Sequence, residues 1–244
     1  MNITLIHGTN RRGSTYHITH QIIENLDPRI HPIITEYFVP QALPQACVGC
    51  YRCIYESETK CPHATSTLPI KQSMLEADLI VLTSPVYVFN VSGSMKSFLD
   101  HFGYQWMSHR PEKAMFSKLG LSVVTAAGAG LGSTQKTLKT NLQFWGIKQT
   151  FGFKHAVMSK SYDEIPEKIK DQLDKKVKRM AKSLSKAYLY PKKKPEFMTQ
   201  LYFNVMRMGK KGHPEWNETD HRYWQTNNLF KVKPWESDSA MIGL

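Results

Sequence analysis

The chain has 244 residues, enough for one sizeable α/β domain with an appendage, and its 41% hydrophobic content supports a proper core. No apolar run approaches the ~20 residues that span a bilayer, which excludes membrane insertion by a helix from the expected functions. The net charge of +12 reads first as solubility, or as a face that steers anionic cofactors or an acidic protein partner; without a recognition motif beside it, nucleic acid is not an expected partner.

The first predicted element is a short β-rich run at 2–7. It lacks the charged start of a signal peptide and reads as a core strand, so the expected location is the cytoplasm. The segment Gly8-Thr9-Asn10-Arg11-Arg12-Gly13-Ser14-Thr15 follows, then an amphipathic helix at 15–26 and a second strand at 31–39. All four cysteines come next, as Cys47, Cys50, Cys53 and Cys61 in the spacing C-x2-C-x2-C-x7-C. Two residues between thiols let the chain turn back and aim successive sulfurs at one point. Three such thiolates and a fourth on a longer loop can enclose a 4Fe–4S cube, and Pro62 follows the last of them as in bacterial ferredoxins. Zinc takes four thiolates too, but its usual signature is two separated C-x2-C pairs. Redox-inert thiols and disulfides remain open as well.

A helix is expected at 67–76 and a nearly continuous apolar strand at 78–84, as suits a buried parallel sheet. A helix at 92–102, a strand at 119–125, a helix at 133–145, a strand at 148–157 and a long basic helix at 162–188 complete the pattern. Five strands alternating with helices predict an α/β fold, a parallel sheet covered on both faces with right-handed crossovers. The pattern breaks at Pro191 and Pro195, dividing a domain at 1–190 from an extension at 191–244. The extension carries Phe197, Tyr202, Phe203, Trp216, Tyr223, Trp224, Phe230 and Trp235. It is too apolar for a free linker and is expected to pack on the core or on a second subunit.

Ligands of such sheets bind beyond the carboxyl ends of the strands, where three loops are unusual. The first, 8–15, opens a helix whose free amides and dipole favour an anion. Thr9, Ser14 and Thr15 add hydroxyls, and Arg11 or Arg12 adds charge. A plain capped turn is the other reading. The second, 84–93, offers Tyr87 and Phe89 as aromatic surface, with Pro85 stiffening the strand exit and Asn90 or Ser92 capping the next helix. The third, 125–132, carries Gly128, Gly130 and Gly132, small enough for backbone to approach a ligand, or simply a flexible turn. A phosphate cradle, a ring platform and a glycine loop on one sheet edge form the layout for a mononucleotide with a large planar ring.

At this point the sequence resembles the flavodoxin-like NADPH-dependent FMN reductase family. Residues 8–15 look like its G-S-x-R-x-G-N-T phosphate loop. Residues 84–93 with Met95-Lys96-Ser97-Phe98-Leu99-Asp100 look like its T-P-x-Y-x-x-x-x-S-G-x-x-K-x-x-x-D stretch. The cysteine run is similar to that of the iron–sulfur flavoproteins, a branch of the family. The resemblance covers roughly residues 1–185 and is weak in the tail. It implies a flavodoxin-like doubly wound five-stranded parallel sheet with an aromatic-rich C-terminal extension. It assigns the FMN phosphate to Thr9, Arg11, Ser14 and Thr15, and the ring edge to Pro85, Val86, Tyr87, Asn90, Gly128 and Gly130. Departures are Asn10 for proline, Ser14 for asparagine, and Pro62-His63-Ala64-Thr65 where many members have an acidic pair. The implied activity takes electrons from NAD(P)H through FMN, with no catalytic side chain of its own because the chemistry lies on the flavin. The acceptor is a flavin, a quinone or a similar small molecule. A carrier that docks on redox proteins is the alternative, and a homo-oligomer is expected in either case.

Overall fold

Alternation along the strands fixes two faces. Ile3, Leu5, Leu79, Val81, Leu121 and Val123 are buried on one side of the sheet. Ile6, Ile80, Leu82 and Val124 are buried on the other. Such two-sided burial requires helices on both faces. The computed structural model describes residues 1–159 and 161–236 and contains that arrangement; residues 237–244 of the extension lie outside the described residues.

The strands are β1 (Asn2–His7), β2 (Ile33–Phe38), β3 (Leu79–Pro85), β4 (Leu119–Ala126) and β5 (Gln149–Ala156). They form one sheet in the order β2-β1-β3-β4-β5, every pairing parallel. This is the flavodoxin-like order, whose direction reverses between β1 and β3. The register pairs His7 with Thr83 and Pro85 with Thr125. The exits of β1, β3 and β4 therefore lie side by side.

The helices are α1 (Ser14–Glu24), α2 (Val39–Ala42), α3 (Arg52–Tyr55), α4 (Ala64–Glu76), α5 (Gly93–His101), α6 (Leu131–Phe144), α7 (Glu167–Leu189), α8 (Phe197–Gly212) and α9 (Glu218–Thr226). Ile18 and Ile22 of α1 pack with Val177 of α7 on one face. Met74 of α4, Phe98 of α5 and Leu138 of α6 pack on the other. Among the described residues no helix is long and apolar enough to cross a membrane.

Several boundaries differ from the sequence reading. The last long helix starts at Glu167 rather than at 162, because Pro166 caps it in an extended conformation and disfavours helix in the residue before it. The cysteine segment is not one loop: it holds the single-turn α3 and a 3₁₀ turn at Glu58–Lys60. The extension, in which no element is predicted, forms α8 and α9. It packs on the sheet domain through a third core, in which Phe203, Trp224 and Leu229 meet Met107 and Phe116. Phe197, Leu201, Val205 and Met208 remain as an exposed stripe on α8.

Candidate active site

The three loops close around one cleft of about 540 Å³ at the β1/β3 reversal. Thr9, Arg11, Gly13, Ser14 and Thr15 line it from the first loop, and Pro85, Val86 and Tyr87 from the second. Thr125, Ala126 and Ala127 line it from β4 and the third loop, and Val157 and Ser159 from beyond β5.

The first loop is built for an anion. Gly13 precedes α1 and no side chain caps the helix. The first amide donors of this 11-residue helix are thus left to a ligand or water. The Arg11 side chain folds over that end, its Nε 3.3 Å from where a Cβ on Gly13 would stand. Arg12 points elsewhere, its guanidinium carbon 5.5 Å from the Tyr16 ring centre and 5.6 Å from that of Phe38. Beneath the loop, Glu36 Oε1 accepts from His7 Nε2 at 2.8 Å and His20 Nε2 at 2.9 Å, and His7 Nδ1 hydrogen-bonds Thr83 at 3.0 Å. Burial holds His7 below the ordinary imidazole range, so a neutral ring pins the end of β1.

Short hydrogen bonds tie each loop to the others. Ser92 Oγ donates to the Gly8 carbonyl at 2.6 Å and accepts from Met95 N at 3.2 Å, which caps α5. A Cβ on Gly8 would stand 2.6 Å from that hydroxyl, so glycine is required there. Thr15 and Thr125 share a hydrogen bond at 2.5 Å. Ser133 Oγ donates to the Phe89 carbonyl, and Val86 N to Thr125 O at 2.9 Å.

The second loop ends in a two-residue hairpin. Tyr87 and Asn90 exchange backbone bonds at 2.8 and 3.0 Å around Val88 (φ 46°) and Phe89 (φ 60°). Such turns normally carry Asn-Gly, and a β-branched residue at positive φ is strained. Asn90 Oδ1 accepts from Val91 N at 2.8 Å and Thr137 Oγ1 at 2.9 Å, tying the turn to α6.

The structure thus brings Thr9, Arg11, Ser14, Thr15, Pro85, Val86 and Tyr87 together in the cleft. Asn90, Gly128 and Gly130 stand outside its lining. Gly130 instead starts α6 at φ 84°, directly against Val86. Ser92, not Asn90, caps α5. The sequence reading missed Gly13, Thr125, Ala126, Ala127, Val157 and Ser159. The first four lie within segments already singled out; the exit of β5 was the available signal for the last two.

Cys47 and Cys50 are exposed, and Cys53 and Cys61 half-buried. The chain turns between the thiols at Gly49 (φ 64°) and Tyr51 (φ 56°). Burial first, then the neighbouring Cys61, Cys47 and Cys50, push the Cys53 thiol up to about 11. Cys61 accepts from His63 N at 3.4 Å. His101 Nδ1 donates to Ser97 O at 2.8 Å, which leaves the Nε2 of a neutral His101 to accept from His63 Nδ1 at 2.9 Å. None of the four cysteines lines the cleft. Helix α5 links the two places, from Ser92 at the loops to His101 beside Cys61. Its nine residues span about 13 Å at 1.5 Å per residue.

The profile of the NADPH-dependent FMN reductase family matches residues 1–158. The chain belongs to this family. An iron-sulfur flavoprotein of Archaeoglobus fulgidus is 30% identical over 147 residues, covering 58% of this chain and 60% of that protein. One of Methanocaldococcus jannaschii is 36% identical over 94 residues, covering 37% of this chain and 43% of that protein. The chain therefore matches about half the length of these relatives. Among solved structures, an azoreductase of Bacillus anthracis superposes with a TM-score of 0.56 at 12% identity, covering 76% of this chain and 99% of that one. That likeness is one of fold, and it agrees with the flavodoxin-like strand order.

Proposed function

We propose that this FMN reductase family member is an NAD(P)H oxidoreductase with FMN in the cleft and a 4Fe–4S cluster on Cys47, Cys50, Cys53 and Cys61. Its electrons pass to a small acceptor such as a flavin or quinone. The observation that carries the reading is the closure of three hydrogen-bonded loops on one cleft at the β1/β3 reversal. The residues fit the cofactor. The uncapped start of α1 with Arg11 folded over it suits a phosphate. Thr9, Ser14 and Thr15 supply hydroxyls beside it, and Pro85, Val86 and Tyr87 form the wall for the ring. Bound FMN supplies hydride acceptance from NAD(P)H and release of electrons singly or in pairs. The protein's part is to hold and orient. The described lining consists of hydroxyl, apolar and small residues with the Arg11 guanidinium.

The names of the two curated relatives and the C-x2-C-x2-C-x7-C spacing of the four thiols support the cluster. A zinc reading has its own support: Cys61, His63 and His101 place ligand atoms within 4.8 Å of one another, and mixed thiolate–imidazole sets suit zinc. We take residues 1–190 as the FMN domain and 191–244 as its extension, and the cytoplasm, where thiols stay reduced, as the location. The exposed α8 stripe suits burial against a second copy.

Arg11→Ala tests the cleft. It is expected to weaken FMN binding by about 1.5–3 kcal/mol, the worth of a hydrogen bond to a charged group. Arg12→Ala removes a guanidinium that lies over Tyr16 and Phe38, and is expected to cost less. Titration of apoprotein with FMN reads both. Equal losses mean the phosphate contact is misassigned, and no loss in either removes the charge argument.

A further inference from the structure

We infer that the C-terminal extension braces the cysteine segment through Asp220, a positioning residue for the cluster; the second half of this inference rests on the cluster reading above. Asp220 lies beyond residues 1–158, which the family profile matches.

The brace starts from a weak element. Helix α3 (Arg52–Tyr55), which carries Cys53, is a single turn. One turn does not sustain itself in water, and its last carbonyls have no partners within the helix. Donors from far along the chain meet those carbonyls. Arg110 donates to Cys53 O and, at 2.9 Å, to Ile54 O. From the extension, Thr219 Oγ1 donates to Tyr55 O at 2.7 Å, and Asn217 Nδ2 reaches Ile54 O at 3.5 Å. Three successive carbonyls are thus capped from outside.

Asp220 holds these donors in place. Its side chain is fully buried. Oδ2 accepts from Lys210 Nζ at 2.7 Å and from His109 Nδ1 at 2.8 Å. Oδ1 lies 3.7 Å from Arg110 Nη1. Its backbone N–H donates to Asn217 Oδ1 at 3.1 Å, which starts α9 and sets Asn217 and Thr219 against α3. Without the carboxylate charge, Lys210 and Arg110 become buried cations short of a partner. Arg110 still faces Glu58 at 3.4 Å and is expected to turn toward it, away from the Cys53 and Ile54 carbonyls.

The test compares the full-length wild type with Asp220→Asn and Thr219→Val, all purified without oxygen. Asp220→Asn keeps the shape and removes the charge; Thr219→Val removes one hydroxyl from an exposed contact. Hydrogen exchange is read at the amides of Ile54, Tyr55 and Glu56, together with iron and sulfide per chain, the cluster's midpoint potential and FMN content. Asp220→Asn is expected to speed exchange at those amides by about tenfold or more, as local opening does, with strand amides and FMN content unchanged. Iron content falls or the midpoint potential shifts. Thr219→Val moves the same readings less, and decides the matter if Asp220→Asn does not fold. Wild-type exchange rates in the folded variants overturn the brace. Faster exchange with unchanged iron and potential overturns the positioning role. Wild-type protein that contains no iron refutes the cluster reading and with it the positioning role, while exchange still judges the brace.

Discussion

Trp224→Ala is expected to lower the unfolding free energy by about 3–5 kcal/mol, the usual cost of emptying a buried aromatic site. Trp224 is fully buried in α9. Its ring stacks on Phe203 with centroids 5.3 Å apart, and its Nε1 donates to His109 O at 2.6 Å. The substitution removes area, stacking and a buried hydrogen bond together, and collapse is limited because Met107 and Phe116 belong to the sheet domain. At about 2–4 °C per kcal/mol for a chain of this size, the melting temperature falls by about 10 °C. Thermal unfolding by circular dichroism reads this. A shift under about 2 °C means the extension does not fold cooperatively with the sheet domain.

Gly130→Ala carries the second large effect. Gly130 starts α6 at φ 84°, where an L-residue costs about 1–2 kcal/mol. Its Cβ would stand 2.5 Å from Val86 Cγ1 and 3.1 Å from Phe89 Cα. Overpacking of that kind costs about 1–3 kcal/mol, for a total of about 2–5 kcal/mol. Val86 lines the cleft, so its displacement is expected to weaken FMN binding about tenfold or more, which is about 1.4 kcal/mol. Gly128→Ala is the control: a Cβ there meets nothing within 4 Å and is expected to change little. Titration of both apoproteins with FMN decides. Equal affinities remove the close approach at Gly130 from the account of the site.

What the sequence disclosed was local. Strands β3 and β4 read as apolar runs because parallel strands are buried on both faces. The loop at 8–15 read as an anion cradle because a strand exit, two glycines and an amide-rich helix start are adjacent in sequence. Ser92 stood among the capping candidates for the same reason. Relations between distant residues were illegible. Arg110 caps Cys53 from 57 residues away, and no spacing rule announces it. Asn90 sits in the second loop but outside the cleft lining, and the tie of its amide oxygen to Val91 and Thr137 is one that no local pattern announces. Val157 and Ser159 follow β5, where the strand exit was the available signal and no glycine marks a close approach. The extension read as broken because Pro191 and Pro195 interrupt it, and because α8 leaves Phe197, Leu201, Val205 and Met208 exposed. With apolar residues on both its buried and exposed faces, its core-facing side is not separable by pattern alone.

The anaerobic addition of NADPH to the purified protein, followed by flavin absorbance, tests the central claim most directly. The account predicts one FMN per chain, identified by mass after release with heat. It also predicts that NADPH or NADH bleaches its absorbance before any acceptor is added. Recovery of FAD, no flavin after reconstitution, or bound FMN that both nucleotides leave oxidised contradicts it.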